Sequence, residues 1–591
     1  MARKVLILGA GYAGVQAALT LHKKKRKNDD IEITIIDKNS YHTLLTELHE
    51  VAGNRISEDG VIVPLKNIFA YTDVKIIKDE IKNIDFENNK LISDSNEYEY
   101  DYLIFAAGSE PNYYGIPGMK EHAFPLWSFK DAIAIREHIK DCFDKASRTA
   151  DSKERKSLLT FVVGGGGFTG VETIGEIAQW VKSLCREYKI ERSEVDLKLI
   201  EALPKILNNL KDKNINKVMK YLTNTLKVDV LVNSAISKLN EDSLELKDGR
   251  KIPTKTLIWT AGIKACCLSE NVSVEKGKAC KVRVDKYATT QYKNVYAVGD
   301  ASCFEYNGHT LPALVESALQ TGEGAALNIL NDIRGKERQE IKPKLHGVMV
   351  SVGSFFAVAE IMGISLPRLF AILMKYMVNA HYLFGIGGFE LVFRYIKHEF
   401  VKKKQEKFLL EKHYSVTTPT FWLVPLRLFL GYSWLMEGLN KLKEGWLNPP
   451  MLAGMAVDGQ TSASITETGE KVFRIISSHT PSWYAFIAEK LVIPNALFFQ
   501  WLIVLTEIGL GIAFITGTFT FIAGLGSLAL NINFLLSTGL YETSWWYIPA
   551  AICMLAGAGR AFGVDYYLIP YLMRQWRFFV RNRRIKLFLF E

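Results

Sequence analysis

The stretch VLILGAGYAG, residues 5–14, decides the fold of the first part of this chain. It is an apolar run typical of a strand, followed by glycines at Gly9, Gly11 and Gly14 and then by residues that favour a helix. In a dinucleotide-binding turn the first glycine makes the tight bend, the second lets the backbone approach a pyrophosphate, and the third lets the helix pack on the strand. The stretch therefore predicts a Rossmann-type α/β domain.

The same pattern occurs again as FVVGGGGFTG, with Gly165, Gly167 and Gly170. One such pattern is weak evidence, but two copies in the same strand-to-helix context predict two nucleotide sites. An acidic residue closes the next predicted strand each time, Asp37 in IEITIID and Glu201 in VDLKLIE. Such a carboxylate accepts a hydrogen bond from a ribose hydroxyl, and at the second site it would repel a 2′-phosphate. The second site is therefore predicted to favour NADH over NADPH.

Three further predicted strands end in small residues, in the stretches YDYLIFAAGSEP, KTLIWTAGIKA and NVYAVGDAS. In a flavoprotein with two dinucleotide domains, strands of this kind carry the chain beneath the cofactor. Asp300, which closes the third stretch, would then accept a hydrogen bond from a ribityl hydroxyl of a flavin. The alternative for Asp300 is a helix-capping role.

With these motifs the chain resembles the type II NADH dehydrogenases, single-subunit NADH:quinone oxidoreductases of the two-dinucleotide flavoprotein superfamily. The likeness covers residues 1 to about 400 and is most specific in YHTLLTELHEVAG, GGFTGVETIGE, WTAGIK, YAVGDAS and LMKYMVNAHYLFGIGG. The resemblance implies one non-covalent FAD per chain, NADH as substrate and no metal. It also implies that a hydride passes from NADH to FAD and that two electrons then reach a membrane quinone, without proton pumping.

The resemblance further implies which residues form the sites. For FAD these are Gly9, Gly11, Tyr12, Ala13, Gly14, Asp37, Lys38, Thr46, Ile81, Ala107, Gly108, Asp300, Ser317 and Lys375. For NADH they are Gly165, Gly167, Thr169, Gly170, Glu172, Glu201, Ala261 and Gly262. Glu172 is the candidate catalytic residue, because its family counterpart lies near nicotinamide and flavin; a helix N-terminal acid favoured by the dipole is the alternative.

The candidate quinone residues are Glu316, Gln320 and Lys375, and here the chain departs from the family. The family pattern Ala-Gln-x-x-x-Gln is replaced by Val315, Glu316 and, at the last position, Gln320. A protonated Glu316 could hydrogen-bond a quinone carbonyl, whereas an ionised one would repel a reduced, anionic quinone. For Lys375, an interfacial lysine whose ammonium extends to the headgroups is the alternative.

The electron acceptor is accordingly the open part of this interpretation. A menaquinone-type naphthoquinone that feeds extracellular electron transfer is implied by similarity to other fused dehydrogenases. The alternatives are a soluble or protein acceptor, as in ferredoxin or disulfide reductases, and a membrane part that serves as a docking module for an extracytoplasmic electron-transfer partner. A homodimer is a further expectation from the resemblance.

After residue 400 the composition changes to that of a membrane protein. The basic linker KHEFVKKKQEKFLLEKH and the later basic stretch RQWRFFVRNRRIK flank four apolar stretches near residues 419–437, 496–516, 519–538 and 545–563. Each is close to the roughly 20 residues that cross a bilayer. Basic flanks on both sides predict that both ends are cytoplasmic, so the number of spans is even, and four is expected.

The segment Leu369–Ile396 is also apolar, but Lys375, His381, Glu390 and Arg394 interrupt it. We expect a pair of membrane-anchoring helices lying in the cytoplasmic interface. The four-span part resembles the DoxX family of small membrane proteins in RLFLGYSWLMEGLNKL, TEIGLG and AGAGRAFGVD. Glu507 lies within an apolar run, where a carboxylate needs a partner or a role. An ion pair with Arg427, Lys441 or Arg560 is one interpretation, and a quinone or proton site is the other.

Composition adds limits to this interpretation. The seven cysteines show neither CxxC spacing nor Cys/His clusters, so no metal or disulfide framework is expected. The net charge of +10 is explained by basic flanks that meet anionic lipid headgroups, and the sequence shows no aromatic-basic pattern that suggests nucleic acid. The expected location is the cell membrane, multi-pass, with the catalytic domain on the cytoplasmic face.

The predicted domain order follows from these motifs. It consists of residues 1–120 (FAD-binding Rossmann domain, first part), 121–265 (NADH-binding Rossmann domain), 266–340 (FAD-binding domain, second part), 341–400 (interfacial membrane-anchoring region), 401–418 (basic linker), 419–570 (DoxX-like four-helix transmembrane domain) and 571–591 (basic cytoplasmic tail).

Overall fold

The computed structural model describes residues 2–70, 72–400, 419–448, 450–455, 463–465, 471–476, 480–537 and 544–582. The chain divides into two compact units, residues 1–416 with 580–591, and residues 417–579. The predicted basic linker, 401–418, and the end of the predicted tail, 583–591, lie outside the described residues.

The first unit is an α/β structure. Its helices are α1 (Tyr12–Lys24), α2 (Leu48–Ala52), α3 (Leu65–Ile68), α4 (Met119–His122), α5 (Phe129–Arg148), α6 (Ser152–Leu158), α7 (Phe168–Tyr188), α8 (Asp212–Lys220), α9 (Cys267–Asn271), α10 (Val315–Ile333), α11 (Arg368–Gly387) and α12 (Phe389–Phe400). Its strands are β1 (Arg3–Leu8), β2 (Ile31–Asp37), β3 (Tyr41–Thr43), β4 (Ile62–Pro64), β5 (Val74–Lys78), β6 (Ile81–Asp85), β7 (Lys90–Ser93), β8 (Glu97–Glu99), β9 (Tyr102–Phe105), β10 (Ser109–Pro111), β11 (Phe124–Pro125), β12 (Thr160–Gly164), β13 (Asp196–Ile200), β14 (Asp229–Leu231), β15 (Ile236–Leu239), β16 (Ser243–Leu246), β17 (Lys251–Pro253), β18 (Thr256–Trp259), β19 (Ile263–Ala265), β20 (Val282–Arg283), β21 (Val295–Ala297), β22 (Ser302–Cys303), β23 (Glu305–Tyr306), β24 (His309–Thr310), β25 (Gly347–Ser351), β26 (Ala357–Ile361) and β27 (Ile364–Leu366).

Two five-stranded parallel sheets organise this unit. Their strand orders are β21-β9-β1-β2-β5 and β11-β18-β12-β13-β14. In each sheet the strand that leads into a glycine turn, β1 or β12, is central. The strand beside it, β2 or β13, carries the acidic residue at or directly after its end. Because the carboxyl ends of parallel strands meet at one edge, turn and carboxylate are neighbours. The prediction of two Rossmann-type α/β domains is confirmed.

A late segment of the chain returns to the first sheet. β21 pairs with β9, and α10 packs along α1. The contact between the two helices is close, since a Cβ placed on Gly322 of α10 would lie 2.4 Å from the carbonyl oxygen of Ala13. This return brings Asp300 and Ser317 to the edge of the sheet that carries the first glycine turn.

The last part of the first unit is a three-stranded antiparallel sheet, β25-β26-β27, followed by α11 and α12. This part exposes many large apolar side chains, among them Met362, Ile364, Leu369, Phe370, Leu373, Met377, Val378, Phe389, Phe393 and Ile396. By length and composition α11 could cross a membrane. An apolar surface of this kind is typical of contact with lipid, and the interfacial placement stays a prediction.

The second unit is mainly helical. It contains α13 (Val424–Lys443), α14 (Ser482–Ile487), α15 (Ala496–Thr516), α16 (Thr520–Ser537), α17 (Tyr547–Met554) and α18 (Asp565–Asn582), together with β28 (Leu452–Met455), β29 (Ala463–Ile465) and β30 (Lys471–Ile476). The stretches Ser482–Thr516 and Thr520–Ser537 are long and apolar enough to cross a membrane. With α11 this makes three candidate spans among the described residues.

The fourth predicted span, residues 545–563, is not one helix. α17 has eight residues and is followed by a turn and a short 3₁₀ helix, Ala558–Arg560. Gly557 adopts φ +79° in the turn between the two helices, a conformation that favours glycine. The buried guanidinium of Arg427 donates to the carbonyl oxygens freed by this break, Ala558, Ala561 and Phe562, at 2.9 to 3.0 Å. The hydropathy of the sequence cannot show that hydrogen bonds from a side chain replace the backbone hydrogen bonds of a helix at this point.

Glu507 of α15 has a defined partner in the second unit. The ammonium of Lys441, near the end of α13, donates to both carboxylate oxygens of Glu507 at 2.7 and 2.9 Å. Of the three candidate partners, Lys441 forms this pair, and Arg427 binds backbone carbonyls instead. The two helices approach closely here, since a Cβ on Gly511 would lie 2.7 Å from the Cα of Leu435.

Candidate active site

The first glycine turn has the strict geometry of a dinucleotide-binding turn. Gly9 adopts φ +106°, and a Cβ placed on it would lie 2.3 Å from the carbonyl oxygen of Ala106. A Cβ on Gly14 would lie 1.9 Å from the carbonyl oxygen of Gly9. By contrast, a Cβ on Gly11 would meet no atom within 4 Å. Two glycines are therefore required by the fold, while Gly11 borders open space at the start of α1.

Asp37, at the end of β2, fixes this turn. Its carboxylate accepts the N–H of Ala10 at 2.7 Å and the N–H of Asn39 at 2.7 Å. Burial raises the pKa of Asp37, and the two amides oppose that shift. Lys38, next in the chain, is exposed. The carboxylate is thus held at the edge of the open space beside Gly11.

The second glycine turn repeats this arrangement. Gly165 adopts φ +113°, and a Cβ on Gly170 would lie 1.8 Å from the carbonyl oxygen of Gly165. A Cβ on Gly167 would again meet no atom within 4 Å. Glu201 accepts the N–H of Gly166 at 2.6 Å and that of Leu203 at 2.8 Å. Thr169 is exposed on the first turn of α7. Ala261 and Gly262 follow β18, which lies on the other side of β12 from β13.

The surroundings of the first turn include polar atoms that need partners. Ser317 of α10 is buried, and its hydroxyl has no hydrogen-bond partner among the described residues. It lines a cavity with Lys281, Asp300 and Thr321. Asp300 accepts the hydroxyl of Ser109 at 3.0 Å, and burial raises its pKa. A buried hydroxyl without a partner beside a carboxylate fits a polyhydroxylated ligand, so these residues fit the ribityl chain of a flavin.

The remaining predicted flavin residues lie around the same sheet edge. Gly108 adopts φ +74° beside open space, and Ala107 packs next to it. Tyr12 is buried at the start of α1, and its hydroxyl lies 3.4 Å from that of Thr46. Ile81 begins β6, is buried and belongs to an apolar cluster.

A buried histidine, absent from the predicted residues, supports the first turn. His42 lies 2.9 Å from the carbonyl oxygen of Ala10 through Nδ1, and 2.9 Å from the hydroxyl of Tyr382 through Nε2. Burial lowers the pKa of His42 to about 4, so the ring is neutral. Nδ1–H must then donate to the carbonyl, and Nε2 accepts from Tyr382.

Glu172, the candidate catalytic residue, is the fifth residue of α7, just after its first turn. Its carboxylate accepts the N–H and the hydroxyl of Ser351, at 3.0 and 3.2 Å, and the side chain is 17% exposed. Burial raises its pKa to about 7, against the opposing charge of Lys375. A carboxyl group that is half-protonated near neutral pH is suited to take up or release a proton.

Lys375 is buried in a network of charges that the sequence did not predict. Its ammonium pairs with Glu50, lies 3.6 Å from Glu47 and 3.4 Å from the hydroxyl of Ser351. Arg55 contacts Glu50 from the other side. Lys375 is only 7% exposed, so it does not extend to a headgroup region. The sequence signal for this network is a group of charged residues in and around the short helix α2, namely Glu47, Glu50 and Arg55.

Two sets of three side chains in this network lie close enough to hold an ion. They are His49 with Glu50 and Glu176, and Glu47 with Glu50 and Glu399. Lys375 and Arg55 already bring positive charge to Glu50, so we assign no metal to them.

The predicted quinone residues on α10 both hold the segment before β25. Gln320 donates to the carbonyl oxygen of Lys344 and accepts its N–H, each at 2.8 Å. Glu316 accepts the N–H of His346 at 3.1 Å and pairs with its imidazole. The carboxylate of Glu316, which replaces the family glutamine, is therefore paired with the imidazole of His346. Lys375 lies at the other end of β25, beside Ser351.

Comparison with known proteins defines the class. The model of the pyridine nucleotide-disulphide oxidoreductase family matches residues 3–322. Type II NADH:quinone oxidoreductases of Staphylococcus saprophyticus and Staphylococcus aureus are 32% identical over 400 and 398 residues, which is 66% of this chain and 98% of each relative. The chain belongs to the type II NADH:quinone oxidoreductase family and is an NADH-oxidising flavoenzyme.

Solved structures share the fold. NDH2 of Plasmodium falciparum, in complex with NADH, is similar with a TM-score of 0.61 and 19% identity, over 69% of this chain and 100% of that one. The sulfide:quinone oxidoreductase of Aquifex aeolicus is similar with a TM-score of 0.53 and 18% identity, over 70% of this chain and 96% of that one. At these identities the likeness concerns the fold alone.

Proposed function

We propose that the first glycine turn holds FAD, that the second receives NADH, and that the electrons pass to a membrane quinone. The observation that carries this assignment is the repeated turn with different surroundings. Beside the first turn lies the cavity lined by Ser317, whose hydroxyl has no partner among the described residues, and by Asp300. Quinone as acceptor is supported by the activity for which the staphylococcal relatives are named.

When bound, FAD accepts a hydride from NADH and passes two electrons onward. The chain's own residues hold and orient the reactants. Asp37 and Asp300 offer acceptors to ribose and ribityl hydroxyls, and Ser317 supplies a donor. Glu201 offers an acceptor to the adenosine ribose of NADH and disfavours a 2′-phosphate.

Glu172 orients the nicotinamide and exchanges a proton near it. The backbone and hydroxyl of Ser351 fix the carboxylate from one side. Its pKa of about 7 keeps both protonation states populated at neutral pH. Through Ser351, which also lies 3.4 Å from Lys375, the group is linked to the buried charge network.

The quinone is proposed to approach the region bounded by α10 and α11, near Glu316, Gln320 and Lys375. The imidazole of His346 pairs with the carboxylate of Glu316, which supports a site that releases a reduced quinone. A low-potential, menaquinone-type naphthoquinone and delivery to extracellular electron transfer are the specific form of this proposal.

The second unit is proposed to be a DoxX-like, four-span membrane domain with both ends in the cytoplasm. The bidentate contact of Lys441 with Glu507 supports a structural role for this pair. Arg427 supports the broken fourth span by binding its free carbonyls. We propose that this unit anchors the enzyme.

The test is NADH oxidation by the detergent-purified full chain with a menaquinone, a ubiquinone, a ferredoxin and a disulfide as separate acceptors. Quinone-dependent turnover, fastest with the menaquinone, is expected. Turnover with the ferredoxin or the disulfide but with neither quinone would overturn the acceptor assignment. The flavin released by acid should be FAD, one per chain.

A further inference from the structure

Tyr114 is a large exposed side chain beside the second glycine turn. It is 63% exposed and adopts φ +52°. Its hydroxyl lies against Gly262, since a Cβ on that glycine would be 2.0 Å from the phenolic oxygen. Gly262 in turn follows Ala261, whose backbone lies against Gly165. The phenol of Tyr114 therefore lies at the mouth of the second turn.

The sheet order shows which half of a dinucleotide would lie there. Strands run β18-β12-β13, with the turn of Gly167 after β12 and Glu201 after β13. A pyrophosphate over the turn and an adenosine ribose at Glu201 direct the other half of the molecule over the end of β18. Gly262 follows that end of β18, so Tyr114 lies on the nicotinamide side.

The loop that carries Tyr114 is fixed at both ends. Asn112 donates its N–H to the carbonyl oxygen of Gly262 at 3.2 Å and accepts the indole N–H of Trp259 at 2.9 Å. At the other end a Cβ on Gly118 would lie 1.9 Å from the carbonyl oxygen of Leu239. An exposed ring on a fixed loop can change rotamer while its backbone stays in place.

Packing does not explain a tyrosine at this position. Positive φ is unfavourable for a residue with a Cβ, and a largely exposed ring gains little from burial in return. Such an unfavourable conformation held at a ligand site indicates a functional contact.

We propose that Tyr114 closes over the nicotinamide half of bound NADH, with its ring covering the ligand and its O–H donating to an oxygen of the dinucleotide. This inference rests on the proposed placement of NADH at the second turn. Tyr114 is then a positioning residue that acts on substrate affinity and leaves flavin binding at the first turn unchanged.

The test compares Tyr114→Ala, which removes the ring, with Tyr114→Phe, which removes only the hydroxyl, in the full-length FAD-loaded protein. The readout is the KM for NADH and the maximal rate with an artificial dye acceptor. Tyr114→Ala should raise KM about tenfold and Tyr114→Phe about two- to fivefold, as for a lost hydrogen bond, with the maximal rate within about twofold. Tyr113→Phe, at the half-buried neighbouring tyrosine, is the control and should leave KM unchanged.

A KM rise of at least threefold in Tyr114→Ala supports the inference, and a smaller rise overturns it. If Tyr114→Ala does not fold, Tyr114→Phe decides, and an unchanged KM overturns the inference. Glu201→Arg, measured in parallel, separates this inference from its premise. If Glu201→Arg alters the preference between NADH and NADPH while both Tyr114 variants behave as wild type, only the role of Tyr114 fails. If Glu201→Arg has no effect, the placement of NADH and the inference fail together.

Discussion

The two glycine turns have nearly the same geometry and different surroundings. Gly9 and Gly165 adopt φ +106° and +113°, and each turn gives one backbone N–H to a carboxylate at the end of the neighbouring strand. Over the first turn, α10 brings the buried Ser317. Beside the second lies Tyr114, which is 63% exposed.

This comparison indicates that the glycine turn determines whether a dinucleotide can bind, and that the surroundings determine whether it stays bound. The shared turn provides room and N–H groups for a dinucleotide. A buried polar enclosure suits a cofactor that stays bound, whereas an exposed neighbour suits a substrate that must leave after each cycle. We therefore expect matched substitutions in the two turns to have different consequences.

The largest effect is expected from Gly11→Ala. A Cβ at this position meets no atom within 4 Å, so the fold tolerates it, but it occupies the space proposed for the pyrophosphate. Loss of helix stability should stay near the ~1 kcal/mol of an N-cap change. Flavin content should fall to about a tenth or less, and NADH oxidation should fall with it. Gly60→Ala, where a Cβ makes ordinary contacts, is the control and should keep its flavin. Normal flavin in Gly11→Ala would place the cofactor elsewhere.

The next effect concerns the carboxylate of the second turn. Glu201→Arg replaces a group that repels a 2′-phosphate by one that attracts it. The ratio of kcat/KM for NADPH to that for NADH should rise at least about tenfold, with flavin content unchanged. Glu241→Arg, on an exposed loop, is the charge control. An unchanged ratio in Glu201→Arg would show that the ribose contact is misplaced.

Glu172 should make stability depend on pH. Its folded-state pKa, about 7, lies above the ordinary 4.5, so the folded protein holds the proton more tightly. Stability should therefore fall as pH rises from about 4.5 to 7, by the order of 1–3 kcal/mol. Glu172→Gln should lack this loss and be the more stable protein above pH 7. Urea-induced unfolding at both ends of this pH range measures the free energy of unfolding of wild type and Glu172→Gln. Glu241→Gln is the control. Equal pH dependence of wild type and Glu172→Gln would contradict the raised pKa.

The smallest effect should be at the proposed quinone approach. Glu316→Gln removes a charge that disfavours a reduced quinone and should raise the maximal rate of menaquinone reduction about two- to threefold. His346→Ala leaves Glu316 without its imidazole partner and should lower that rate. Dye reduction by NADH should not change in either variant. Shifts of the same sign in both would show that the pair does not act through charge.

Sequence predicted the elements whose signals are local. The spacing of each glycine turn and the acid after the next strand lie within one strand–helix–strand unit, so Asp37 and Glu201 could be placed in advance. The surroundings of each turn come from distant segments. Ser317 could be named only through the family resemblance, and the return of α10 brings it to the first turn. Tyr114 reaches the second turn through a loop without a motif and was not predicted.

The buried network and the membrane part show the same limit. Glu50 and Lys375 lie in separate helices that are far apart in the sequence. They meet, together with Arg55, only in the folded chain. In the second unit, hydropathy indicated the apolar stretch 545–563, but the helix ends at Met554, and Arg427 binds carbonyls beyond that end. Composition identifies an apolar stretch but does not show where its backbone hydrogen bonds are replaced.

The most direct test of the central claim is the anaerobic flavin absorbance of Gly167→Ala during titration with NADH. A Cβ at residue 167 meets no atom within 4 Å, as at residue 11, so the two variants are matched. We predict a full complement of flavin that is bleached only at NADH concentrations about tenfold or more above those needed for wild type. Loss of flavin from Gly167→Ala, or bleaching at the wild-type concentration, would contradict the assignment of the two turns.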